Sequence, residues 1–551
     1  MKSRGSKPVP MAALLFALAW MLLPGACTTF VPQERLLSSA ESSGFKETTG
    51  YHRVMEILRL LENQSPLLRV ETYGYTAEGR AMPLAVLGNP LPDNADEARG
   101  SGKTVVFINA NIHAGEVAGK EACLMLIREI TQGTLANLLD DTIVLVAPIY
   151  NADGNERIDP SNRYWQNGPE RGVGIRTSAQ SLDLNRDMMK LETPEARNLV
   201  RNILMRWNPH VVVDCHTTNG SYHTEPITYS PALTPLADAG LLQFNSQIML
   251  PWIARRTQEK HGYASIPYGN FRDAMNPELG WYTFDHKPRY VSNYICLRNQ
   301  LSILIEMYAY AGYETRIRAC LTFLQSILEF CGKEGAAVRN ATAHAETATL
   351  AAAEPGQVSL RFHTAFEQRA YPDPILIQGF RMELKEMENG KKQARPILDQ
   401  PVKYSVPYYG CFVPLGEGAP LPDSYFFPRA LFEIRDKLEQ HGIVVNEIKE
   451  PFTATLSVFA IEKITFDNEL FQGHRLQRLE GEWKMQSISF PGGAFCVSAH
   501  QPLARLAAYL LEPESDDGLA CWNFLDRYLT RGPWDSRPGT YPVMKRFERV
   551  R

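Results

Sequence analysis

A short polar motif in this 551-residue chain has the residue types and the spacing that a metal site needs. His113 and Glu116 belong to the motif His113-Ala114-Gly115-Glu116, and imidazole and carboxylate groups are both ligands of Zn²⁺. A catalytic zinc site uses three protein ligands and leaves a fourth position open for water. Because any polar loop can contain such a pair, the interpretation depends on a third ligand elsewhere in the chain.

The third ligand is predicted at His216, which directly follows the run Val211–Cys215. His113 likewise follows an apolar run, Thr104–Asn109, and both runs have the branched composition of buried strands. Ligands on separate strands meet where the carboxyl ends of a parallel sheet lie side by side. We therefore predict one zinc ion per chain, held by His113, Glu116 and His216.

Two further groups of polar residues could complete a hydrolytic site. Glu306 ends the apolar run Leu301–Ile305, and a glutamate near metal-bound water can accept its proton and later protonate a leaving amine. Asp183–Asp187 reads as a loop in which Arg186 offers a forked donor for a carboxylate. Taken singly, Glu306 could face solvent and the second group could be an ordinary charged loop.

The elements that must position these residues alternate between strands and helices. This alternation predicts an α/β fold with a mixed, mostly parallel sheet flanked by helices, spanning residues 35–332. The elements are a hairpin over Val70–Gly88, strands at Thr104–Asn109, Ile143–Ile149, Val211–Cys215 and Leu301–Ile305, and helices at Val117–Ile130 and Pro194–Trp207.

A change of composition separates this region from the rest of the chain. Residues 333–357 are rich in alanine and predict a linker with partial helical character. Residues 358–551 predict a smaller β-rich domain, with a hairpin turn at Asn389-Gly390 and one helix at Pro502–Leu511. No group of residues in this second region suggests a catalytic role.

Composition and charge narrow the class of protein. Hydrophobic residues make up 44% and charged residues 21% of the chain, as in ordinary folded domains rather than disordered or fibrous proteins. The formal net charge is -4 and no long basic run occurs, which argues against a nucleic-acid surface. Nine cysteines include no CxxC pair, and their pairing in disulfides stays open.

The first residues predict export. Basic residues at positions 2, 4 and 7 precede the apolar run Met11–Leu23, which is shorter than the roughly 20 residues that a membrane-spanning helix needs. We expect a signal peptide at 1–26. Gly25-Ala26-Cys27 is similar to the end of a bacterial lipobox, although Pro24 is unusual there, and makes Cys27 a candidate lipid anchor. The expected location is the periplasm or the cell envelope.

Taken in order, the motifs resemble the metallocarboxypeptidase family of zinc peptidases, whose members are similar to carboxypeptidase A. The resemblance suggests an exported bacterial member. The resemblance covers about residues 60–330, and the ordered set is more specific than any single motif. The matching motifs are Thr76–Arg80, His113–Glu116, Asn151–Gly154, Asp183–Arg186, His216-Thr217 and Leu304–Glu306.

The resemblance implies roles for particular residues. It makes His113, Glu116 and His216 the zinc ligands, and Glu306 the general acid and base. Asn185 and Arg186 would hold the terminal carboxylate of the substrate. Asp183 would orient a ligand histidine.

The chain departs from the family pattern at two positions on the substrate side. Gln166 stands where an arginine that polarises the scissile carbonyl is usual, so that either Arg163 or Arg176 would stabilise the oxyanion or this stabilisation would be weaker. The tyrosine that closes over the substrate has three candidates in this sequence. They are Tyr282, Tyr290 and Tyr294.

The resemblance implies a carboxypeptidase whose partner is a peptide with a free C-terminus. An amidase acting on cell-wall peptides or N-acyl amino acids would use the same zinc chemistry. A binding protein without activity on the same fold is a third hypothesis. Neither the side-chain preference nor the role of the β-rich region follows from the sequence.

Overall fold

The computed structural model of the chain describes residues 32–218, 220–352, 361–387, 390–532 and 535–547. The predicted signal peptide and Cys27 lie outside the described residues, as does Asn389 of the predicted hairpin turn. Among the described residues, no helix combines the length and the apolar character that crossing a bilayer requires.

Within the described part of the chain, ten strands precede residue 310. They are β1 (Leu68–Tyr75), β2 (Ala81–Leu87), β3 (Thr104–Ala110), β4 (Thr142–Ala147), β5 (Val211–Thr218), β6 (Ile227–Ser230), β7 (Ser265–Pro267), β8 (Asn270–Phe271), β9 (Trp281–Tyr282) and β10 (Leu301–Tyr308).

Eight of these strands form one sheet, in the order β1-β2-β4-β3-β5-β10-β6-β7. The central neighbours β4, β3, β5 and β10 all run parallel to one another, whereas β1, β2 and β6 add antiparallel pairs. Every residue of β3, β4 and β5 is buried, which explains why their sequences are continuously apolar rather than alternating. The predicted mixed, mostly parallel sheet is confirmed.

Helices cover this sheet, and their ends follow local sequence rules. Thr193 caps α6 by accepting a hydrogen bond from the Ala196 amide, and Pro194 fits the first turn because it needs no donor there. Gly262, at φ 78°, ends α8. The helices are α1 (Ser39–Ser42), α2 (Tyr51–Glu62), α3 (Ala95–Gly100), α4 (Ala118–Thr131), α5 (Ala152–Asn155), α6 (Pro194–Leu199), α7 (Ala239–Gln243), α8 (Leu250–His261), α9 (Val291–Cys296) and α10 (Tyr313–Lys333). Turns of π-helix at Val200–Met205 and Phe244–Met249 extend α6 and join α7 to α8.

The alanine-rich segment predicted as a linker contains a long helix, α11 (Gly335–Ala352). It buries Val338, Ala345 and Thr349, and Thr349 Oγ1 accepts a hydrogen bond from Arg505 Nε at 3.2 Å. The helix therefore packs between the two regions of the chain and does not separate them.

The C-terminal region is β-rich, as predicted. A six-stranded antiparallel sheet has the order β19-β22-β18-β25-β20-β21, and β13 and β14 form a long separate hairpin. The strands are β11 (Arg361–Phe362), β12 (Phe366–Arg369), β13 (Ile375–Glu386), β14 (Lys392–Val406), β15 (Tyr408–Tyr409), β16 (Cys411–Pro414), β17 (Ala419–Pro420), β18 (Ser424–Pro428), β19 (Asn446–Ile448), β20 (Phe452–Phe466), β21 (Gln477–Phe490), β22 (Ala494–Ser498), β23 (Thr530–Gly532), β24 (Asp535–Pro538) and β25 (Met544–Arg546).

The described residues of this region also include two helices, α12 (Phe432–Gln440) and α13 (Ala504–Leu511). The predicted helix at Pro502–Leu511 corresponds to α13. Helix α12 was not predicted, because it buries only Ile434 and Leu438 and so carries a weak periodic signal.

One contiguous core joins the two regions, since the same cluster of buried side chains contains Phe107 of β3 and Trp522 near the C-terminal end. Polar contacts cross the boundary as well. Tyr294 Oη lies 2.8 Å from His441 Nδ1, and Arg289 Nε donates to Asp517 Oδ1 at 2.8 Å. The eight cysteines within the described residues are all free.

Candidate metal centre and active-site cleft

The three predicted metal ligands converge at the carboxyl edge of the central sheet. His113 and Glu116 lie in the loop between β3 and α4, and His216 lies on the neighbouring parallel strand β5. Their ligand atoms all fall within 4.8 Å of one another, and all three side chains are buried. His216 Nδ1 is 3.2 Å from His113 Nδ1 and 3.1 Å from Glu116 Oε2.

Two aspartates fix the orientation of the histidine rings. Asp183 Oδ1 lies 3.0 Å from His113 Nε2, and Asp214 Oδ2 lies 2.7 Å from His216 Nε2. Because an ionised carboxylate only accepts hydrogen bonds, it holds a hydrogen on each Nε2 and leaves each Nδ1 as the nitrogen that can bind a metal. Two Nδ1 atoms and a carboxylate therefore lie close together, which fits a bound Zn²⁺ ion.

Glu116 is held in place from two sides. Its Oε2 accepts a hydrogen bond from the Thr217 amide at 2.9 Å, and its Oε1 accepts one from Arg163 Nη1 at 2.9 Å. Burial alone would raise the pKa of Glu116, but His113 and Arg163 outweigh that effect and hold it well below its ordinary value. Glu116 is therefore ionised and can bind a cation.

Gly115 allows this loop to pack closely. A Cβ atom at this position would come within 2.6 Å of Arg163 Cδ and 2.8 Å of the Gly174 carbonyl oxygen. A larger residue would push Arg163 away from Glu116.

Glu306 lies beside the ligands on β10, in register with His216 of β5. Its Oε2 is buried and has no hydrogen-bond partner among the described residues. Burial, supported by the negative charge of Glu116 and opposed by His216, raises the pKa of Glu306 to about 8. A cation bound by the three ligands would favour the ionised carboxylate.

The predicted carboxylate-binding pair lies in a cleft of about 210 Å³ that the ligands and Glu306 also line. Asn185 and Arg186 belong to a short 3₁₀ turn that begins after Asp183. The guanidinium of Arg186 stacks on the ring of Tyr290 with 4.2 Å between its Cζ atom and the ring centroid. Arg186 is thus oriented by contacts on one side and accessible from the cleft.

The structure distinguishes between the two candidate arginines for the scissile carbonyl. Arg163 donates to Glu116 and, through Nη2, to the Thr217 carbonyl oxygen at 2.8 Å, and it is not among the residues described as lining the cleft. Arg176 does line the cleft, and its side chain is 43% exposed. Its Nη2 lies 2.8 Å from Asp183 Oδ2. Arg176 is therefore better placed than Arg163, the residue predicted for substrate binding, to contact a molecule in the cleft.

Gln166, which departs from the family pattern, lies away from the ligands. Its Oε1 accepts a hydrogen bond from Arg163 Nε at 3.1 Å, and its Nε2 donates to the Gly168 carbonyl oxygen. Gln166 therefore supports Arg163, which in turn holds Glu116.

Of the three candidate tyrosines, Tyr290 alone is among the described cleft residues. Tyr294 is fully buried against His441. Tyr282 stacks on Tyr409 with 4.1 Å between ring centroids, outside the cleft. Tyr268 also lines the cleft and was not considered from the sequence.

Two other motifs of the predicted set meet at Asp153, outside the cleft. Thr76 Oγ1 and Arg80 Nη1 both donate to Asp153 Oδ1 at 2.7 Å, and the Glu78 amide donates to Oδ2 at 2.9 Å. These motifs therefore join the β1–β2 hairpin to helix α5, which follows β4, and their role is structural.

Sequence reasoning missed two polar residues of the site. Asp214 precedes His216 by two positions on the same face of β5, and this spacing was a usable signal. Gln472, in the β-rich region, accepts a hydrogen bond from the Asp183 amide through Oε1 at 2.7 Å. No local pattern indicates that contact, because the two residues are 289 positions apart.

Comparisons with known proteins agree with this geometry. A model of the zinc carboxypeptidase family matches residues 54–285. Carboxypeptidase 2 of Trichophyton rubrum is 23% identical over 511 residues, which cover 88% of this chain and 86% of the relative. The zinc carboxypeptidase of Saccharothrix mutabilis subsp. capreolus is 30% identical over 118 residues, 20% of this chain and 26% of that protein.

Among solved structures, the carboxypeptidase A of Helicoverpa armigera superposes with a TM-score of 0.40 and 16% identity, covering 56% of this chain and 80% of that chain. The family match includes the loop of His113 and Glu116 and the strand of His216, whose geometry suits a single zinc ion. Over residues 54–285 this chain matches the zinc carboxypeptidase family.

Proposed function

We propose that this chain is a zinc-dependent carboxypeptidase that removes the last residue from peptides with a free C-terminus. The observation that carries this proposal is the position of Glu306. An unpartnered carboxylate oxygen lies beside three converging ligands, in the same cleft as the guanidinium of Arg186. A metal-binding site without catalysis needs neither Glu306 nor Arg186.

A zinc ion held by His113, Glu116 and His216 would supply Lewis acidity and would lower the pKa of water in the cleft. Glu306 is placed to accept the proton of that water on its carboxylate. It then returns the proton to the amine that leaves when the peptide bond breaks. Asp183 and Asp214 keep the ligand rings in the required tautomer while this happens.

Arg186 and Asn185 are assigned to the free carboxylate of the substrate. A guanidinium binds a carboxylate through two parallel hydrogen bonds, and such charge-assisted contacts are worth roughly 1.5–3 kcal/mol. An internal peptide bond or a C-terminal amide would leave this cation without its partner. The enzyme should therefore act only at chain ends.

Arg176 is assigned to the oxygen of the scissile carbonyl. Negative charge develops on that oxygen as the carbonyl is attacked, and a fixed cation nearby stabilises it. Arg176 is suited to this role because Asp183 holds its Nε and Nη2, while Nη1 lies 3.6 Å from Glu116 Oε1 at the ligand site.

The test compares matched peptides that end in a free carboxylate or in an amide, after the zinc content of the purified protein has been measured. We expect one zinc ion per chain and release of the last residue from the free acids, with amidated peptides cleaved at a small fraction of that rate. Equal cleavage of both forms would favour an amidase or an endopeptidase. Absence of cleavage from a fully zinc-loaded protein would favour a binding protein.

The same proposal includes export to the cell envelope, supported by the charged and apolar pattern of the first 26 residues and by Cys27. Expression with labelled palmitate tests the lipid anchor. The full-length chain should be labelled and sediment with membranes, whereas Cys27→Ser should be unlabelled and soluble. Equal membrane retention of both forms would contradict lipid anchoring.

A further inference from the structure

A second depression, which we call the hairpin groove, lies between the β13–β14 hairpin and the end of the central sheet. Its volume is about 560 Å³. Aromatic and aliphatic side chains form most of its lining, among them Tyr222, Tyr308, Tyr310, Phe380 and Leu398. Tyr222 and Tyr310 stack with 4.6 Å between ring centroids and an angle of 16°.

Main-chain and side-chain contacts fix the two walls of the groove. The Thr224 amide donates to the Gln378 carbonyl oxygen of β13 at 2.7 Å, and the Gln378 amide donates to Glu225 Oε1 at 3.0 Å. Across the groove, Arg395 Nη1 of β14 donates to Tyr222 Oη at 3.3 Å. The hairpin is therefore attached to the segment that follows the ligand strand β5.

The groove lies next to the active-site cleft along β10. Leu304, Glu306 and Tyr308 point to the same face of this strand, because successive side chains alternate between faces. Leu304 and Glu306 line the cleft, and Tyr308 lines the groove. Thr218, the partner of Tyr308 on β5, also lines the cleft, so the two depressions are adjacent.

The position of the groove relative to Glu306 defines which substrate residues would reach it. Two residues of a strand span about 7 Å, and an extended peptide advances at a similar rate. With its terminal residue on the Leu304 side of Glu306, a peptide would place its third and fourth residues from the C-terminus over Tyr308. The Tyr310 ring lies beside Tyr308, with 5.4 Å between ring centroids, and so borders the same positions.

We propose that the hairpin groove is a substrate subsite for the third and fourth residues from the C-terminus, and that it favours aromatic and large aliphatic side chains. This proposal rests on the proposed carboxypeptidase function. Stacked tyrosines and an aliphatic wall bind such side chains by apolar contact and ring stacking. The β-rich region would in this way contribute to substrate selection.

The test uses peptides that share their last two residues and carry either phenylalanine or glycine at the third and fourth positions from the C-terminus. An acylated dipeptide with the same last two residues does not reach the groove. We expect wild-type kcat/KM to be about tenfold higher for the phenylalanine peptide than for the glycine peptide, the scale of discrimination that one apolar pocket provides.

Two variants of the groove should reduce this ratio toward one, namely Leu398→Ser and Tyr310→Ala, with kcat/KM for the dipeptide unchanged. The matched control is Leu384→Ser. The side chains of Leu384 and Leu398 are both exposed on the hairpin, at 58% and 70%. Of these two, only Leu398 lines the groove. Dissociation constants of the peptides for the Glu306→Gln variant give the same comparison without turnover.

A phenylalanine-to-glycine ratio near one in the wild type, with the dipeptide cleaved normally, would overturn the subsite and leave the carboxypeptidase function intact. An equal decrease of the phenylalanine-to-glycine ratio in the Leu384→Ser variant would also overturn the subsite. If neither the dipeptide nor any longer peptide is cleaved by zinc-loaded protein, both proposals fail.

Discussion

Glu306 and His216 are paired in register on the adjacent parallel strands β10 and β5. The backbone of the sheet therefore sets the distance between the predicted proton carrier and a metal ligand, and no loop conformation is involved. Strand positions are more precise than loop positions for such a pair, because their rotamers are fixed by packing on both sides.

Substitutions at these two residues should separate metal binding from proton transfer. Glu306→Gln removes the proton acceptor and leaves the ligands, so zinc content should stay at one per chain while kcat falls by about 100-fold or more. His216→Ala removes a ligand and should abolish zinc binding. Metal analysis of the purified proteins and kcat for a free-acid peptide measure the two effects. A Glu306→Gln variant with nearly full kcat would show that another group is the base.

Asp214→Asn should weaken zinc binding without removing a ligand. Asp214 accepts a hydrogen bond from His216 and is itself held by Asn109 Nδ2 at 3.0 Å. Loss of such a partner typically costs ten- to a hundredfold in metal affinity. Competition with a chelator measures the affinity. Asp96→Asn is the control, because Asp96 is exposed on α3, and an equal loss there would contradict the role of Asp214.

Arg186 and Arg176 should affect different kinetic constants. Arg186→Met should raise KM for free-acid peptides and narrow the ratio of acid to amide cleavage, because the contact exists before reaction. Arg176→Met should mainly lower kcat, because its contact strengthens as charge develops on the carbonyl oxygen. Steady-state kinetics on an acid and amide pair measure both. If Arg186→Met mainly lowered kcat and Arg176→Met mainly raised KM, the roles assigned to the two arginines would have to be exchanged.

Glu192 should make the stability of the protein depend on acid pH. Burial alone would raise the pKa of Glu192, but the hydrogen bond from His474 and the charge of Lys190 lower it to about 2. A depressed carboxyl pKa stabilises the fold above the ordinary value of 4.5, and this contribution is lost as the pH falls toward 2.

Glu192→Gln should therefore lower the free energy of unfolding at pH 7 by about 1–2 kcal/mol, after allowance for the partial exposure of the side chain. The difference in free energy of unfolding between the variant and the wild type should become smaller below pH 4.5. Denaturant unfolding between pH 7 and pH 3 measures it, with the exposed Glu346→Gln of α11 as the control. A difference that is constant with pH would exclude an electrostatic origin.

The parts of the site that could be predicted from the sequence are those at the ends of fully buried strands. β3 and β5 lie in the centre of the sheet, so both faces are covered and their residues form continuous apolar runs. A polar residue that follows such a run, such as His216, therefore stands out. Helix α4 was predicted to within one residue at each end for a related reason, since its apolar positions repeat with helical spacing.

The parts that could not be predicted depend on how distant loops fold back on the sheet. Arg163 and Arg176 lie in the same long loop, and only the tertiary path places one under Glu116 and the other in the cleft. Tyr290 was one of three candidate tyrosines, and only the tertiary structure separates them, because Tyr294 packs against His441 and Tyr282 against Tyr409. The helical packing of residues 335–352 depends on partners such as Arg505, which local composition does not reveal.

The contact from Gln472 to Asp183 has a consequence for the evolution and engineering of this chain. Asp183 orients His113, so a loop of the β-rich region is part of the support on which metal affinity depends. Buried side chains of both regions also belong to the same core. A fragment ending near residue 352 would expose that core and lose the support of Asp183. We expect such a fragment to be insoluble or deficient in zinc, and the intact chain to unfold in a single thermal transition.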